Sequence, residues 1–484
     1  MQIDAMQYIH NYINGELVPA ISGAYIDNIE PATGKVFSQI ARSGAADVQK
    51  AYEAGKNAFE GWKNLGAEKR SHILLTIAEL IEQNADALAQ AESQDNGKPV
   101  WLAKKMDIWR ASQNIRFYAT ASLHTSNHTY QNPDNINYTL REPLGVVACI
   151  SPWNLPLYLF TWKIAPALAS GNCVIAKPSE LTPLTAYLFS EICIRAGLPA
   201  GVLNVLHGYG YEVGEAIVSH PKVKAVSFTG GTKTGAHIAR IAAPMFKKLS
   251  LELGGKNPTI IFASADYEKA LETTLRASFL NQGEICLCGS RIFVEESIYE
   301  RFRNDLVEKI KKLKVGDPQD DTNFMGALVS EAHIQKVLSY IALAQQEGGK
   351  ILTGGKRLQP VGRCQNGYFV EPTLIEGLAY DCRTNQEEIF GPVATITPFK
   401  TEEQVLSYAN SVEYGLACSL WTNDLSQAHR IAGKIESGIV WVNCWLLRDL
   451  RTPFGGMKSS GIGREGGFEA LQFFTEEKNV CIQF

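Results

Sequence analysis

From residue 144 onward the chain repeats one texture: a short β-branched run, a polar or glycine-containing loop, then a stretch with helical spacing. Val146-Val-Ala-Cys-Ile150, Cys173-Val-Ile-Ala176, Val202-Leu-Asn-Val-Leu206 and Ala225-Val-Ser-Phe228 are the runs, and helical patterns at 164–170, 185–196, 213–218 and 235–243 alternate with them. Short apolar strands alternating with helices imply a parallel sheet covered on both faces, a doubly wound α/β domain. A second set begins near residue 254, with strands expected at 259–262, 291–294, 368–370, 394–398 and 418–421 and helices at 298–313 and 332–347. Ligands of such sheets bind beyond the carboxyl ends of the strands, so the chemistry belongs in the loops that follow them.

The flanking segments read differently. Alternating segments with Asn-Gly and Ser-Gly turns at 8–37 predict small strands laid over a larger body, and spacing at 45–59, 67–90 and 100–120 predicts amphipathic helices. Residues 122–140 lose that period, with Tyr130 and Tyr138 alternating among Asn and Thr as in an extended hairpin, and 473–484 returns to a strand pattern. A chain of 484 residues implies about three domains. With 20% charged residues, a net charge of -4 and no basic run, nothing points to nucleic acid. Ten cysteines lie mostly inside apolar runs, without C-x-x-C pairs or zinc spacing, so neither a disulfide framework nor a metal is expected. Residues 1–20 lack the pattern of a signal peptide, and no apolar run approaches the roughly 18 residues of a membrane span, so the protein is expected to be cytoplasmic.

Three of the strand-end loops carry the residues a dinucleotide needs. Ser151-Pro-Trp-Asn-Leu-Pro156 follows the first run; Lys177-Pro-Ser-Glu180 follows the second and offers a cation and a ribose acceptor. Thr229-Gly-Gly-Thr-Lys-Thr-Gly235 follows the fourth, where Gly230, Gly231 and Gly235 let a helix N-terminus approach phosphate. Two further stretches suggest a nucleophile and a base. Asn281-Gln-Gly-Glu-Ile-Cys-Leu-Cys288 lies between a helix-like and a strand-like run, and a thiol there can meet a cleft while its neighbours hold it still. A lone acid, Glu252, stands in the apolar context Leu251-Glu-Leu-Gly-Gly-Lys-Asn-Pro258, which favours a raised pKa suited to a general base. Asn154 is either a turn residue before Pro156 or an amide donor at a strand end, and an isolated Cys286 could as well be a small core residue.

Together these motifs resemble the aldehyde dehydrogenase superfamily. K-P-S-E, F-T-G-x-x-x-x-G, L-E-L-G-G-K, Gly283-Glu-Ile-Cys286, Glu387-Glu-Ile-Phe-Gly-Pro-Val393 and Ser459-Ser-Gly-Ile-Gly-Arg-Glu465 carry the likeness from about Tyr8 to the end. The resemblance implies an α/β fold of two doubly wound parallel-sheet domains plus a small β oligomerisation arm. Residues 1–121 and 145–253 would bind NAD, 254–454 would form the catalytic domain, and 122–144 with 470–484 the arm of a homodimer or homotetramer. It implies Cys286 as nucleophile, Glu252 as base for thioester hydrolysis and Asn154 as oxyanion donor. NAD contacts would come from Ser151, Pro152, Trp153, Lys177, Pro178, Ser179, Glu180, Gly210, Gly214, Phe228, Thr229, Gly230, Gly231, Thr234, Leu253, Gly254, Glu388 and Phe390. Two positions depart from the family pattern: Gly231 replaces a common Ser, and Glu284 replaces the usual Gln.

Arg110, Leu155, Tyr158, Trp162, Arg448 and Phe454 are the candidate substrate residues. Paired guanidinium groups in a tunnel are costly unless an anion meets them, which implies an aldehyde carrying a distal carboxylate. The motifs around Pro152 and Asn443 look most like those of the 2-aminomuconate and 2-hydroxymuconate semialdehyde dehydrogenases. The alternatives are a dehydrogenase of betaine aldehyde, succinate semialdehyde or an aliphatic aldehyde, an acylating enzyme using coenzyme A, or a silent structural relative. All three implied catalytic residues stand in this chain, against the last.

Overall fold

The computed structural model describes residues 7–484; residues 1–6, the start of both the 1–20 segment and the 1–121 unit, lie outside the described residues. Five strands form the parallel body of the first sheet, in the order Lys248–Glu252, Ala225–Thr229, Val146–Ile150, Cys173–Lys177, Leu203–Val205. The chain runs outward from Val146–Ile150 to Leu203–Val205 and then returns to add Ala225–Thr229 and Lys248–Glu252 on the other side. Val146–Ile150 and Ala225–Thr229 therefore flank the point where strand order reverses, which opens a crevice beyond their carboxyl ends. Antiparallel strands cap both edges: Asn11–Ile13 and Glu16–Val18 on one side, Gly461–Ile462 on the other.

The second sheet runs Lys350–Thr353, Thr373–Glu376, Val393–Phe399, Arg291–Glu295, Pro258–Ile261, Ala417–Trp421, Ile439–Val442, parallel except for Lys350–Thr353. Its first strand starts six residues after the last parallel strand of the first sheet ends. That short passage carries the chain from one sheet to the other. In a separate three-stranded sheet, Asn135–Pro143 lies between its hairpin partner Thr129–Gln131 and the tail strand Thr475–Gln483, the tail in continuous register from Thr475 opposite Pro143 to Gln483 opposite Asn135. No helix among the described residues is long and apolar enough to cross a membrane.

Five local expectations are corrected. Strand Lys248–Glu252 was not anticipated, because its charged ends bracket a short Leu-Ser-Leu alternation; it lies near the sheet edge, where its outer neighbour is only Gly461–Ile462. The helix expected at 164–170 runs over Pro156–Ala169, with Pro at its first turn and every residue but Leu159 buried. A helix apolar on all sides shows no periodicity from which to read its start. The helix expected over 67–90 is two, Ala67–Gln83 and Ala85–Asn96, because Asn84 leaves helical geometry (φ -105°, ψ 18°), its side chain donating to the Leu80 carbonyl at 2.7 Å. The stretch 100–120 loosens into a π turn at Ala103–Ile108 before Trp109–Ala121. Phe369–Val370 joins Arg357–Leu358 in a two-stranded sheet, and Thr373–Glu376 takes the expected place in the second sheet.

Gly461 ties the C-terminal segment onto Leu251 and Glu252 with φ near +147°, and a Cβ there would lie 2.0 Å from the Leu251 carbonyl oxygen. Gly461→Ala should therefore cost at least roughly 1–3 kcal/mol. The check is a lowered midpoint in thermal unfolding followed by circular dichroism.

Candidate active site

Cys286 sits between the 3₁₀ turn Leu280–Gly283 and strand Arg291–Glu295, partly exposed to a pocket. Three consecutive residues, Asn281, Gln282 and Gly283, have positive φ, and a Cβ on Gly283 would lie 2.2 Å from the Gly391 carbonyl oxygen, so the turn admits little but glycine at that point. Asn257 Nδ2 donates to the carbonyl oxygens of Cys286 and Cys288 at 2.7 and 2.9 Å, while its Oδ1 accepts from the Ala417 amide at 3.0 Å. Burial raises the Cys286 thiol pKa, and Glu252 and Glu388 raise it further by their charge. In the free protein the thiol is held protonated and needs a base.

Asn154 lies in the same pocket as Cys286, and its Nδ2 donates to the Glu284 carbonyl oxygen at 2.9 Å. Its backbone oxygen accepts from Lys98 Nζ at 2.9 Å and from Asn281 Nδ2 at 3.1 Å, and Lys98 is itself clamped by both oxygens of Asp107 at 3.0 Å. One amide hydrogen of Asn154 is thus committed to the nucleophile loop, and the other remains for the pocket.

Glu252 ends strand Lys248–Glu252, only 4% exposed, with Oε1 free of any hydrogen-bond partner. Burial raises its pKa well above the ordinary carboxylate value, and the negative charge of Glu465 adds to the effect. Glu465 accepts from Lys163 Nζ at 2.8 Å and from Ser227 Oγ at 2.9 Å, so a buried ion pair lies behind Glu252. Glu284, the departure beside the nucleophile, is fully buried, with its carboxyl against the Val329 amide and Gln282. Burial pushes its pKa well above the ordinary carboxylate value, which favours the neutral form beside Cys286.

A cleft of about 540 Å³ opens beyond the strand ends of the first sheet. Of the expected cofactor residues, Ser151, Pro152, Trp153, Lys177, Ser179, Glu180, Gly210, Gly214, Phe228, Thr229, Gly230, Gly231 and Thr234 line it. Pro178 does not; its carbonyl oxygen accepts from Lys177 Nζ. Leu253, Gly254, Glu388 and Phe390 line the adjoining pocket that holds Cys286, and Pro152, Trp153, Thr229, Gly230 and Gly231 are shared by both. Although burial opposes it, the Lys177 charge and nearby backbone amides keep the Glu180 pKa below its ordinary value, a fixed acceptor at the cleft. Ser151 Oγ and Thr229 Oγ1 are buried there with no hydrogen-bond partner, and a Cβ on Gly210 or Gly231 would meet only open space. Unpaired hydroxyls, a bare helix N-terminus at Gly231 and a ribose acceptor fit a dinucleotide.

A third cavity of about 470 Å³ is lined by Arg110, Tyr158 and Arg448 among others. The Arg448 guanidinium lies 3.9 Å from the Phe454 ring centre and 5.1 Å from that of Trp162, with Nη1 3.4 Å from the Tyr158 hydroxyl. Trp162, Phe454 and Leu155 are buried and do not line the cavity; Trp162 and Phe454 form the aromatic floor under Arg448. Arg110 stacks over Trp109 and Tyr158, and burial lowers its pKa.

Several residues escaped sequence reading. His333 and Lys336 share one face of helix Glu331–Gln346 and line the Cys286 pocket; His333 Nε2 donates to the Phe390 carbonyl oxygen at 2.7 Å, and burial lowers its pKa to about 4. Their i, i+3 spacing was the only signal available. Lys98, Asp107, Lys163, Asn257 and Glu465 gave none beyond being polar residues that prove to be buried.

The sequence pattern of the aldehyde dehydrogenase family matches residues 18–480, and the chain belongs to that family. It is 50% identical over 480 residues to the 2-aminomuconic semialdehyde dehydrogenase of Mus musculus, covering 98% of each chain. The 2-hydroxymuconic semialdehyde dehydrogenase of Pseudomonas sp. (strain CF600) is 44% identical, over 99% of this chain and all of that one. An NAD+ complex of an aldehyde dehydrogenase from Bacillus cereus superposes with a TM-score of 0.96 at 39% identity, covering 99% of this chain and 97% of that one.

Glu284 also predicts a stability effect. Its folded pKa lies above the unfolded value, so as pH rises past the unfolded pKa the unfolded chain releases a proton that the folded protein retains, and stability falls until the folded pKa is passed. Glu284→Gln removes that dependence. The difference in thermal midpoint, variant minus wild type, should grow between about pH 5 and 8; a flat difference across that range would count against a buried neutral carboxyl.

Proposed function

We propose that the protein oxidises a carboxylate-bearing semialdehyde to the acid with NAD, acting on 2-aminomuconic or 2-hydroxymuconic semialdehyde in aromatic-ring catabolism. The observation that carries the dehydrogenase reading is that Cys286 opens into a pocket sharing a wall with the dinucleotide cleft. In this reading residues 1–121 and 145–253 bind the cofactor, 254–454 carry the nucleophile, and 122–144 with 470–484 assemble a homodimer or homotetramer. Ten unpaired cysteines agree with a cytoplasmic setting.

Glu252, whose raised pKa makes it a stronger base than an ordinary carboxylate, takes the Cys286 proton. The sulfur then adds to the aldehyde carbon, and the free amide hydrogen of Asn154 joins the Cys286 backbone N–H around the developing oxyanion. NAD, when bound, supplies the hydride acceptor. With NAD bound, Glu180 would accept from the adenosine ribose hydroxyls and its negative charge would disfavour a 2′-phosphate. Glu388 would hold the nicotinamide ribose, and Phe390, whose own ring lies edge-on to Trp153 at 5.3 Å, would pack against the nicotinamide. Loss of hydride from the adduct leaves a thioester on Cys286. Glu252 gives up the thiol proton to solvent and next removes a proton from water as the water oxygen attacks the thioester carbon; the C–S bond breaks, the Cys286 thiolate takes the proton back from Glu252, and the acid departs.

The substrate carboxylate sits between Arg110 and Arg448. Tyr158 and the Trp162–Phe454 floor hold Arg448 in place, and neither arginine makes an ion pair within the chain among the described residues. An anion would relieve two half-buried, unpaired guanidinium groups.

Because Glu252 serves both the activation of Cys286 and the hydrolysis of the thioester, Glu252→Gln should slow the NADH burst as well as the steady state, each by about 100-fold or more, read by stopped-flow absorbance. Arg448→Ala should raise KM for 2-hydroxymuconic semialdehyde about 10-fold or more while leaving hexanal within a few-fold. Equal changes for both aldehydes would remove the anion argument.

A further inference from the structure

The cavity that holds Arg110 and Arg448 carries two more cations at its outer edge, Lys105 from the π turn and Arg276 from helix Tyr267–Phe279. Both are exposed, and no carboxylate lines the cavity with them. The acids nearest in sequence are committed elsewhere. Asp107 holds the buried Lys98, Glu272 pairs with Lys309, and Asp449 pairs with Arg451 at 2.6 Å. Asp86, on the neighbouring helix, pairs with Lys104. Among the described residues neither Lys105 nor Arg276 makes an ion pair, although the chain as a whole carries more acids than bases.

Four like charges around one opening repel one another, and surface cations normally find carboxylates at little cost. An arrangement that leaves all four unpaired on a low-dielectric wall, lined also by Trp101, Leu280 and Phe324, focuses a positive potential into the cavity. We infer that Lys105 and Arg276 form an outer anion-capture pair that draws a carboxylate-bearing aldehyde into the cavity and hands it to Arg110 and Arg448. This rests on the reading of the substrate as an anion and adds specificity determinants outside the inner pair. Because the outer residues are exposed and do not touch the reacting atoms, they act on entry and leave the chemical step alone. Their effect falls on kcat/KM and is screened by salt.

The test compares wild type with the double variant Lys105→Gln/Arg276→Gln, using 2-hydroxymuconic semialdehyde and the neutral hexanal at low and at physiological ionic strength. For the anion, kcat/KM should fall about 5- to 20-fold at low salt and much less at physiological salt. Its salt dependence should flatten, with kcat within about twofold of wild type and hexanal unaffected. The charge-reversed variant Lys105→Glu/Arg276→Glu should fall further. If wild type prefers the anion but the double variant keeps the wild-type kcat/KM and salt slope, the outer pair has no such role while the inner arginines stand. If wild type shows no preference for the anion over hexanal, the anionic-substrate reading falls and this inference with it.

Discussion

One side-chain amide sets the position of the nucleophile. Asn257 lies immediately before the first strand of the second sheet, and its amide bonds the carbonyls of Cys286 and Cys288 on one side and the Ala417 backbone on the other. The nucleophile loop is thereby fixed to two adjacent strands of a rigid sheet. Without that tie, a turn containing three successive positive-φ residues would have no reason to hold one conformation. Asn154 closes the loop from the other sheet by donating to the Glu284 carbonyl, so the two α/β units meet through hydrogen bonds at the cysteine.

The charges around the cysteine fall into two regions. Glu252, Glu284 and Glu388 are all buried enough that their pKa values rise, and each gains from being neutral or close to a cation. Lys163 balances Glu465 in the same interior, and Lys98 balances Asp107. The cavity lined by Arg110 and Arg448 gathers cations with no acid among its lining. A wall of that kind attracts an anion rather than a neutral molecule.

Parts of this were legible in the residues themselves. The runs at 146–150, 173–176 and 225–228 are buried throughout and, but for Ser227, apolar, because both sheet faces are covered, and that same fact made the helix Pro156–Ala169 hard to bound. Lys177, Glu180 and the glycines at 230 and 231 could be assigned to a strand-end crevice because a parallel sheet places its loops there. Strand Lys248–Glu252, which ends in Glu252, shows no strand signal in the sequence because strands near a sheet edge lose the uniform apolarity that marks the centre.

The sequence by itself determined the two parallel sheets and the strand-end loops, because these depend on local pattern, and its motifs supplied Cys286, Glu252 and Asn154 as candidates for nucleophile, base and oxyanion donor. Only the tertiary structure decided that Glu284 is buried with its pKa raised, that Asn257 and Lys98 tie down the Cys286 loop and Asn154, and that Lys105 and Arg276 share a cavity with Arg110 and Arg448. Burial and proximity arise from segments hundreds of residues apart folding against each other; Lys105 and Arg448, for example, are separated by 343 positions. No local period records which distant side chain will supply a partner or leave a charge without one.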